Sequence, residues 1–377
     1  MRRSVPALLT VMLALAASVL TQQRVIERME PFDYDVAPNW SLPYAKTGYT
    51  WGSVPGVFVE SDDRIFIVSR GEIPIPNPVP AAFQGFFGSL RSALGAPENE
   101  IRGCIRVVDS TGKVLEMWSQ WDTLFQSTNG PHKVKISPYD PQRRVWVVGE
   151  TKHVIYVFSN DGTQLLQTLG VEWATAEDET HFGRPQDLAF LPDGSLLVAD
   201  GLINARIVKL DKHGTFLMAW GGHGTGDGQF NAVHGVDVDR NGRVYVADRL
   251  NKRVQVFDTS GTHLANWPNI RFPNHVQVTD PVPGDTSTGG EQVVWVADNM
   301  TAEVLKFDTQ GNRLFSWHAS GPVPGGFGEL HQFSLDSKGN VYTADNVLGR
   351  PQKLVPKAGA DPKHLIGQSA RLAPKAK

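Results

Sequence analysis

Cysteine is nearly absent. Cys104 is the only one in 377 residues, so no intramolecular disulfide can form, and the fold must rest on its core and on how its pieces close. Cys104 itself reads as a packed thiol at a strand start. Dense Lys/Arg blocks are missing as well, and the formal net charge is −3; that excludes the electrostatic footprint of a nucleic-acid binder. Long apolar runs are scarce. The longest follows Arg2 and Arg3, ends at Leu20 and is short for a bilayer span, so residues 1–22 read as a secretory signal with small residues Ala16, Ala17 and Ser18 at its cleavage region. No cysteine follows it, which argues against a lipoprotein, and the paired arginines lack the rest of a twin-arginine pattern. The expectation is an exported protein, periplasmic or secreted, that touches a membrane only if the signal stays uncleaved.

What the chain does have is repetition. VYVADRLNKRVQVFDTSG (244–261) recurs as LLVADGLINARIVKLDKHG (196–214) and VWVADNMTAEVLKFDTQG (294–311). Weaker copies are VWVVGETKHVIYVFSNDG (145–162) and VYTADNVLGRPQKL (341–354). The first copy is split into IFIVSRG (65–71) and IRVVDSTG (105–112). Each copy reads as short strands of period-two alternation broken by turns such as Asp193-Gly194 and Asn241-Gly242. A repeat of roughly 40–55 residues with four strand-sized pieces marks a propeller blade. The word V-A-D-x-x-N-x-R-V-Q-V-F-D resembles the NHL repeat family. The predicted fold is therefore all-β: a six-bladed NHL-type β-propeller over residues 51–356, after a lead-in at 23–50. Ten Trp and eighteen Phe would pack between the blades. A ring has no open sheet edge that demands a partner, so a monomer is expected.

Two segments fall outside the pattern. Residues 71–103 form an insertion in the first blade, and its FQGFFGSL stretch would serve either as a cover for the channel mouth or as a clip on the outer rim. Residues 357–377 are polar and proline-punctuated, and are expected to lack structure.

The strand that opens each blade sets the phase. It reads PGVFV, HKVKI, QDLAF, HGVDV, NHVQV and HQFSL, so the leading residues are Pro55, His132, Gln186, His234, Asn274 and His331. Histidine holds this place in alternate blades, about 120° apart in a closed ring, where three imidazoles would converge on the axis. Three neutral imidazoles with a free position match catalytic zinc, although imidazole also suits copper, iron or nickel. The blander reading is three rim residues hydrogen-bonded to water.

Together with these histidines, SRG at Arg70, HFGRPQD (181–187), ADGLINARIV (199–208), GQFNAVHG (228–235) and ADRLNKRVQ (247–255) resemble the peptidyl-α-hydroxyglycine α-amidating lyases over about residues 54–350. The resemblance implies cleavage of the C–N bond of an α-hydroxyglycine-type amide to an amide and glyoxylate. It implies zinc on His132, His234 and His331, and active-site roles for Arg70 and Arg249. It further implies a calcium ion deeper in the channel, bound through main-chain carbonyls at Val57 and Val134. Two positions depart from the family. Leu202 stands where its catalytic Tyr is, and Leu cannot exchange a proton. Gln332 replaces the Asp after the last zinc histidine, so a calcium site would lose a carboxylate and be weakened. Glu150 occupies in blade two the place of Arg70 and Arg249 in blades one and four, where it would act as general base or pair with an arginine. The substrate is then a small molecule or a peptide. A non-catalytic propeller that binds a protein, peptide or glycan, and a hydrolase using metal-bound hydroxide, are the alternatives.

Overall fold

The computed structural model describes residues 33–38, 40, 45–80 and 99–369. The signal segment, FQGFFGSL and residues 370–377 lie outside them. Among the described residues the chain forms six four-stranded antiparallel sheets plus one small two-stranded sheet. The innermost strands are Gly56–Ser61, Val134–Ile136, Pro185–Phe190, Val233–Val238, Pro273–Thr279 and Leu330–Leu335. Neighbouring innermost strands meet around the channel, those of blades two and three through Lys135 on the Leu188 carbonyl, which closes the six-bladed ring the repeat predicts.

Period-two alternation survives only at the outside. The outermost strands Val114–Met117 and Leu165–Leu169 alternate between half-buried and exposed residues. Among the second and third strands, Val145–Gly149, Val154–Phe158 and Val244–Asp248 are buried at every residue. A blade is sandwiched between two others, so both faces of its middle strands are dry, as in sheets covered on both sides. The apolar clusters accordingly lie between blades. One joins Phe66, Val107 and Trp118 of the first blade to Val134, Val145 and Phe158 of the second, with Trp118 edge-on to Phe66 at 5.5 Å.

The repeat word has a structural explanation. Asp248 accepts hydrogen bonds from the Asn231 amide at 2.8 Å, Asn251 Nδ2 at 2.9 Å and Arg253 Nε at 2.8 Å. Asp200 does the same with Gly183, Asn204 and Arg206. This Asp-Asn-Arg word, D-x-x-N-x-R in blade four and one residue longer in blade three, thus ties the loop between blades to the turn after the second strand, fixing the residue that follows the Asp. The F-D-x-x-G turns are built likewise: Asp258 Oδ1 accepts the Ser260 and Thr262 amides at 2.8 and 2.9 Å. Gly261, at φ +85°, lies so close to the Trp220 ring that a Cβ would fall 2.8 Å from it.

Closure uses an element placed only in the lead-in by sequence. Tyr34–Val36 pairs with Arg350–Pro356 and supplies the fourth strand of the last blade. Tyr34 is buried edge-on against Trp317 at 5.5 Å. Its hydroxyl accepts the Ile366 amide at 2.9 Å. Truncating a buried aromatic of this kind costs about 3–5 kcal/mol, so Tyr34→Ala should lower the chain's unfolding free energy by that amount in a urea titration. A loss under about 1 kcal/mol, the range of surface substitutions, would show that this strand does not latch the ring.

The tail also departs from expectation over its described part. Residues 357–369 pack on the last two blades: Ile366 is buried in their core, and the His364 ring stacks on Phe315 with centroids 4.0 Å apart. Lys306 donates to the Lys363 carbonyl at 2.8 Å, and the Asp280 amide to the Gln368 carbonyl at 2.7 Å. Two apolar residues, Leu365 and Ile366, anchor a segment whose overall polarity hides them. In the insertion, Glu72–Pro74 pairs with Tyr49–Trp51. Cys104 is buried just before Ile105–Val108, and burial pushes its thiol well up.

Candidate metal centre

His132, His234 and His331 come together at one mouth of the channel. One ring nitrogen of each lies within 4.8 Å of the others, and the ring centroids are 4.5–5.3 Å apart. All three side chains are buried. What holds them is the other half of the alternating pattern. His132 Nδ1 bonds the Gln186 carbonyl at 3.0 Å, His234 Nδ1 that of Asn274 at 2.7 Å, and His331 Nδ1 that of Pro55 at 2.7 Å. Those acceptors are the leading residues of the three blades without histidine. Each carbonyl requires Nδ1–H, which leaves Nε2 as the lone-pair nitrogen; metal-ligating imidazoles are oriented in this way.

The rings are neutral. Burial, with smaller opposing and supporting charges around it, brings His132 down to about 3. Burial holds His234 and His331 well below the usual imidazole range, helped by Arg249 at His234 and by His132 at His331. Three buried, unprotonated nitrogens aimed at one point fit a borderline cation such as zinc.

Charged residues surround the trio. Glu150 sits 3.6 Å from His132 Nε2 and 3.3 Å from Arg70 Nη2, and it also pairs with Arg184. Burial opposes its ionisation, but the Arg70 and Arg184 guanidiniums outweigh that and hold its carboxyl below the usual range. Arg249 donates to Asn274 Oδ1 at 3.3 Å and lies over the Phe272 ring at 4.8 Å. Asn274 Nδ2 in turn donates to Glu329 Oε1 at 2.7 Å, and Asn346 Nδ2 to Glu329 Oε2 at 2.7 Å. Sequence reasoning thus found Arg70, Arg249 and Glu150 at this mouth and missed Arg184 and Glu329. A signal existed. Arg184 and Glu329 stand two residues before the leading positions Gln186 and His331.

Leu202 lies in the turn 201–204 of blade three, half-buried, its amide 3.4 Å from the Arg184 carbonyl. Val57 and Val134 are buried on innermost strands, one layer deeper. The Val134 carbonyl accepts Gln332 Nε2 at 3.0 Å. Around these two carbonyls the donor set is poor for calcium: Gln332 Nε2 already occupies the Val134 carbonyl, and the Gln332 Oε1 beside it, which meets no donor among the described residues, brings an oxygen without charge where calcium favours a carboxylate.

Ring and trio together define an NHL-type six-bladed propeller with a histidine-lined candidate metal centre at one mouth. Residues 230–257 match the NHL repeat family. The chain is 32% identical to NHL repeat-containing protein 3 of Homo sapiens over 174 residues, spanning 44% of this chain and 48% of that protein. Relatives named for the amidating activity are peptidyl-glycine alpha-amidating monooxygenase B of Xenopus laevis and a probable peptidyl-alpha-hydroxyglycine alpha-amidating lyase of Caenorhabditis elegans. The first is 27% identical over 70% of this chain and 29% of its own length; the second is 34% identical over 34% of this chain and 36% of its own. The chain therefore spans about half or less of the curated relatives it matches. Virginiamycin B lyase of Staphylococcus aureus, solved as a catalytically inactive variant with quinupristin, shares the fold at a TM-score of 0.50 and 12% identity, over 85% of this chain and 98% of that one. The resemblance to amidating lyases thus has named homologues behind it, and the fold is a propeller.

Proposed function

We propose that the chain is an exported zinc-dependent lyase that cleaves the C–N bond of an α-hydroxyglycine-type amide, giving an amide and glyoxylate. The observation that carries this is the trio of neutral, carbonyl-locked imidazoles beside an arginine cluster. His132, His234 and His331 would hold the ion, whose contribution is to acidify a bound hydroxyl towards neutral pH. Three guanidiniums, Arg70, Arg184 and Arg249, face two carboxylates, Glu150 and Glu329, so the side chains at the mouth carry one net positive charge, to which the ion would add, and this favours a substrate carboxylate. Arg249 is the guanidinium without an ion pair among the described residues, and a fork of its N–H groups suits a carboxylate. Glu150 is the carboxylate within reach of the trio. It would accept the hydroxyl proton as the C–O bond becomes C=O and the C–N pair withdraws to nitrogen, then return that proton to nitrogen to complete the amide.

Two arginines make Glu150 a weak base, so it can act only on a hydroxyl already acidified, which is consistent with Leu202 having no part in proton transfer. Glu150→Gln keeps the shape and removes the base; kcat for glyoxylate release from an N-acyl-α-hydroxyglycine should fall by about 10²–10⁴, with zinc content unchanged. Undiminished kcat would assign Glu150 to charge pairing alone. Leu202 favours the second reading, a propeller that binds a protein, peptide or glycan without turnover. Protein that holds zinc yet releases no glyoxylate would support it.

A further inference from the structure

One step below the histidines lies a second layer of six equivalent positions: Gly56, Lys133, Asp187, Gly235, His275 and Gln332. The two glycines leave the space; a Cβ on Gly56 would come within 3.0 Å of Gln332 Oε1 and 3.2 Å of the Lys133 Cα. Lys133 is buried, and its ammonium donates to Asp187 Oδ2 at 3.0 Å and lies 3.3 Å from His275 Nδ1. A second ammonium, Lys135, reaches Asp187 Oδ1 at 2.9 Å and the Leu188 carbonyl at 2.5 Å. Both oxygens of the layer's carboxylate are therefore engaged by lysines. The Gln332 amide caps the Val134 carbonyl at 3.0 Å.

Calcium requires about six to eight oxygen ligands. This layer offers one carboxylate, already bonded on one oxygen by Lys133 and on the other by Lys135, whose ammonium also faces Asp237 of blade four. An added divalent ion would have to displace a lysine to reach either Asp187 oxygen, and it would meet the Lys133 ammonium at close range, where buried charges are screened little. Lys133 belongs to blade two, Asp187 to blade three and His275 to blade five, so the ammonium makes the cross-channel link that a bound ion would otherwise make.

We propose that the Lys133 ammonium is the resident cation of this channel, a clamp on blades three and five that replaces calcium. The ring is then stable, and its histidine centre is assembled, with no calcium present. This holds whether or not the lyase reading does, because its readout is stability.

The test uses the full chain stripped over a chelating resin, reloaded with zinc alone and melted with and without added calcium chloride. The expected result is no shift in Tm and no heat in a calorimetric calcium titration. A calcium-dependent rise in Tm would overturn the proposal. In the double variant with Lys133→Met and Gln332→Asp, one positive charge is gone and a carboxylate has been gained, and calcium should now raise Tm by several degrees. A folded double variant indifferent to calcium would show that Lys133 is not what stands in for the ion. Should that variant not fold, the native chain's calcium titration still decides.

Discussion

His234→Ala is expected to empty the metal centre and stop the reaction while leaving the propeller folded. The native chain, purified without added zinc, should carry stoichiometric metal, and the variant only background. Lewis-acid stabilisation of developing charge is worth several kcal/mol, and about 1.4 kcal/mol is a factor of ten in rate. Glyoxylate release should therefore fall on the order of 10³-fold. The fold should survive, because His234 sits at a strand's leading end and its loss leaves one acceptor, the Asn274 carbonyl, without its Nδ1 partner. Equal, substoichiometric metal in both proteins would remove the centre as a metal site and return the three histidines to ordinary rim residues. Metal bound by the native chain without glyoxylate release would keep the centre and remove the substrate. The two halves of the experiment therefore fail separately.

The histidine centre was legible because it obeys the repeat. Its members share one position, and equivalent positions in a ring become neighbours around an axis without any knowledge of side-chain packing. The same logic placed Arg70, Glu150 and Arg249, which follow the Asp position in blades one, two and four. Its limit shows at Arg184 and Glu329. They share an offset, two residues before the leading position, but that place lies in connections between blades whose lengths differ, and it carries opposite charges in the two blades, so the shared offset is easily passed over. Their partners are also heterogeneous: Arg184 pairs with a carboxylate from blade two, whereas Glu329 is held by two amides from blades five and six. The closing strand Tyr34–Val36 was hidden for another reason. It is three residues long and pairs with a strand more than 300 positions away, so neither periodicity nor turn chemistry could reveal it. The Nδ1 acceptors were hidden too. They are main-chain carbonyls, and Pro55, Gln186 and Asn274 have only their carbonyl oxygens in common for this purpose.

Asn274 couples the two sides of the site, and through it Arg249 acquires its expected role. Its carbonyl oxygen orients His234 at 2.7 Å, while its side-chain oxygen receives Arg249 at 3.3 Å. The guanidinium is thus referenced to the same residue as a candidate metal ligand, with Phe272 behind its face. Its Nε meets no acceptor among the described residues, and a buried donor left in that state is costly unless a ligand completes it. A substrate carboxylate would do so. Arg249→Lys keeps the charge but loses the planar fork. Hydrogen bonds to charged groups are worth about 1.5–3 kcal/mol, so kcat/KM should fall roughly 10- to 100-fold with zinc retained. The decisive comparison is between an N-acyl-α-hydroxyglycine and its neutral carboxamide. The native enzyme should prefer the acid, and Arg249→Lys should lose most of that preference because the lost contact is specific to the carboxylate. A variant that turns over more slowly but keeps the full preference would show that Arg249 supports the mouth without gripping the substrate, leaving Arg70 and Arg184 to hold the carboxylate.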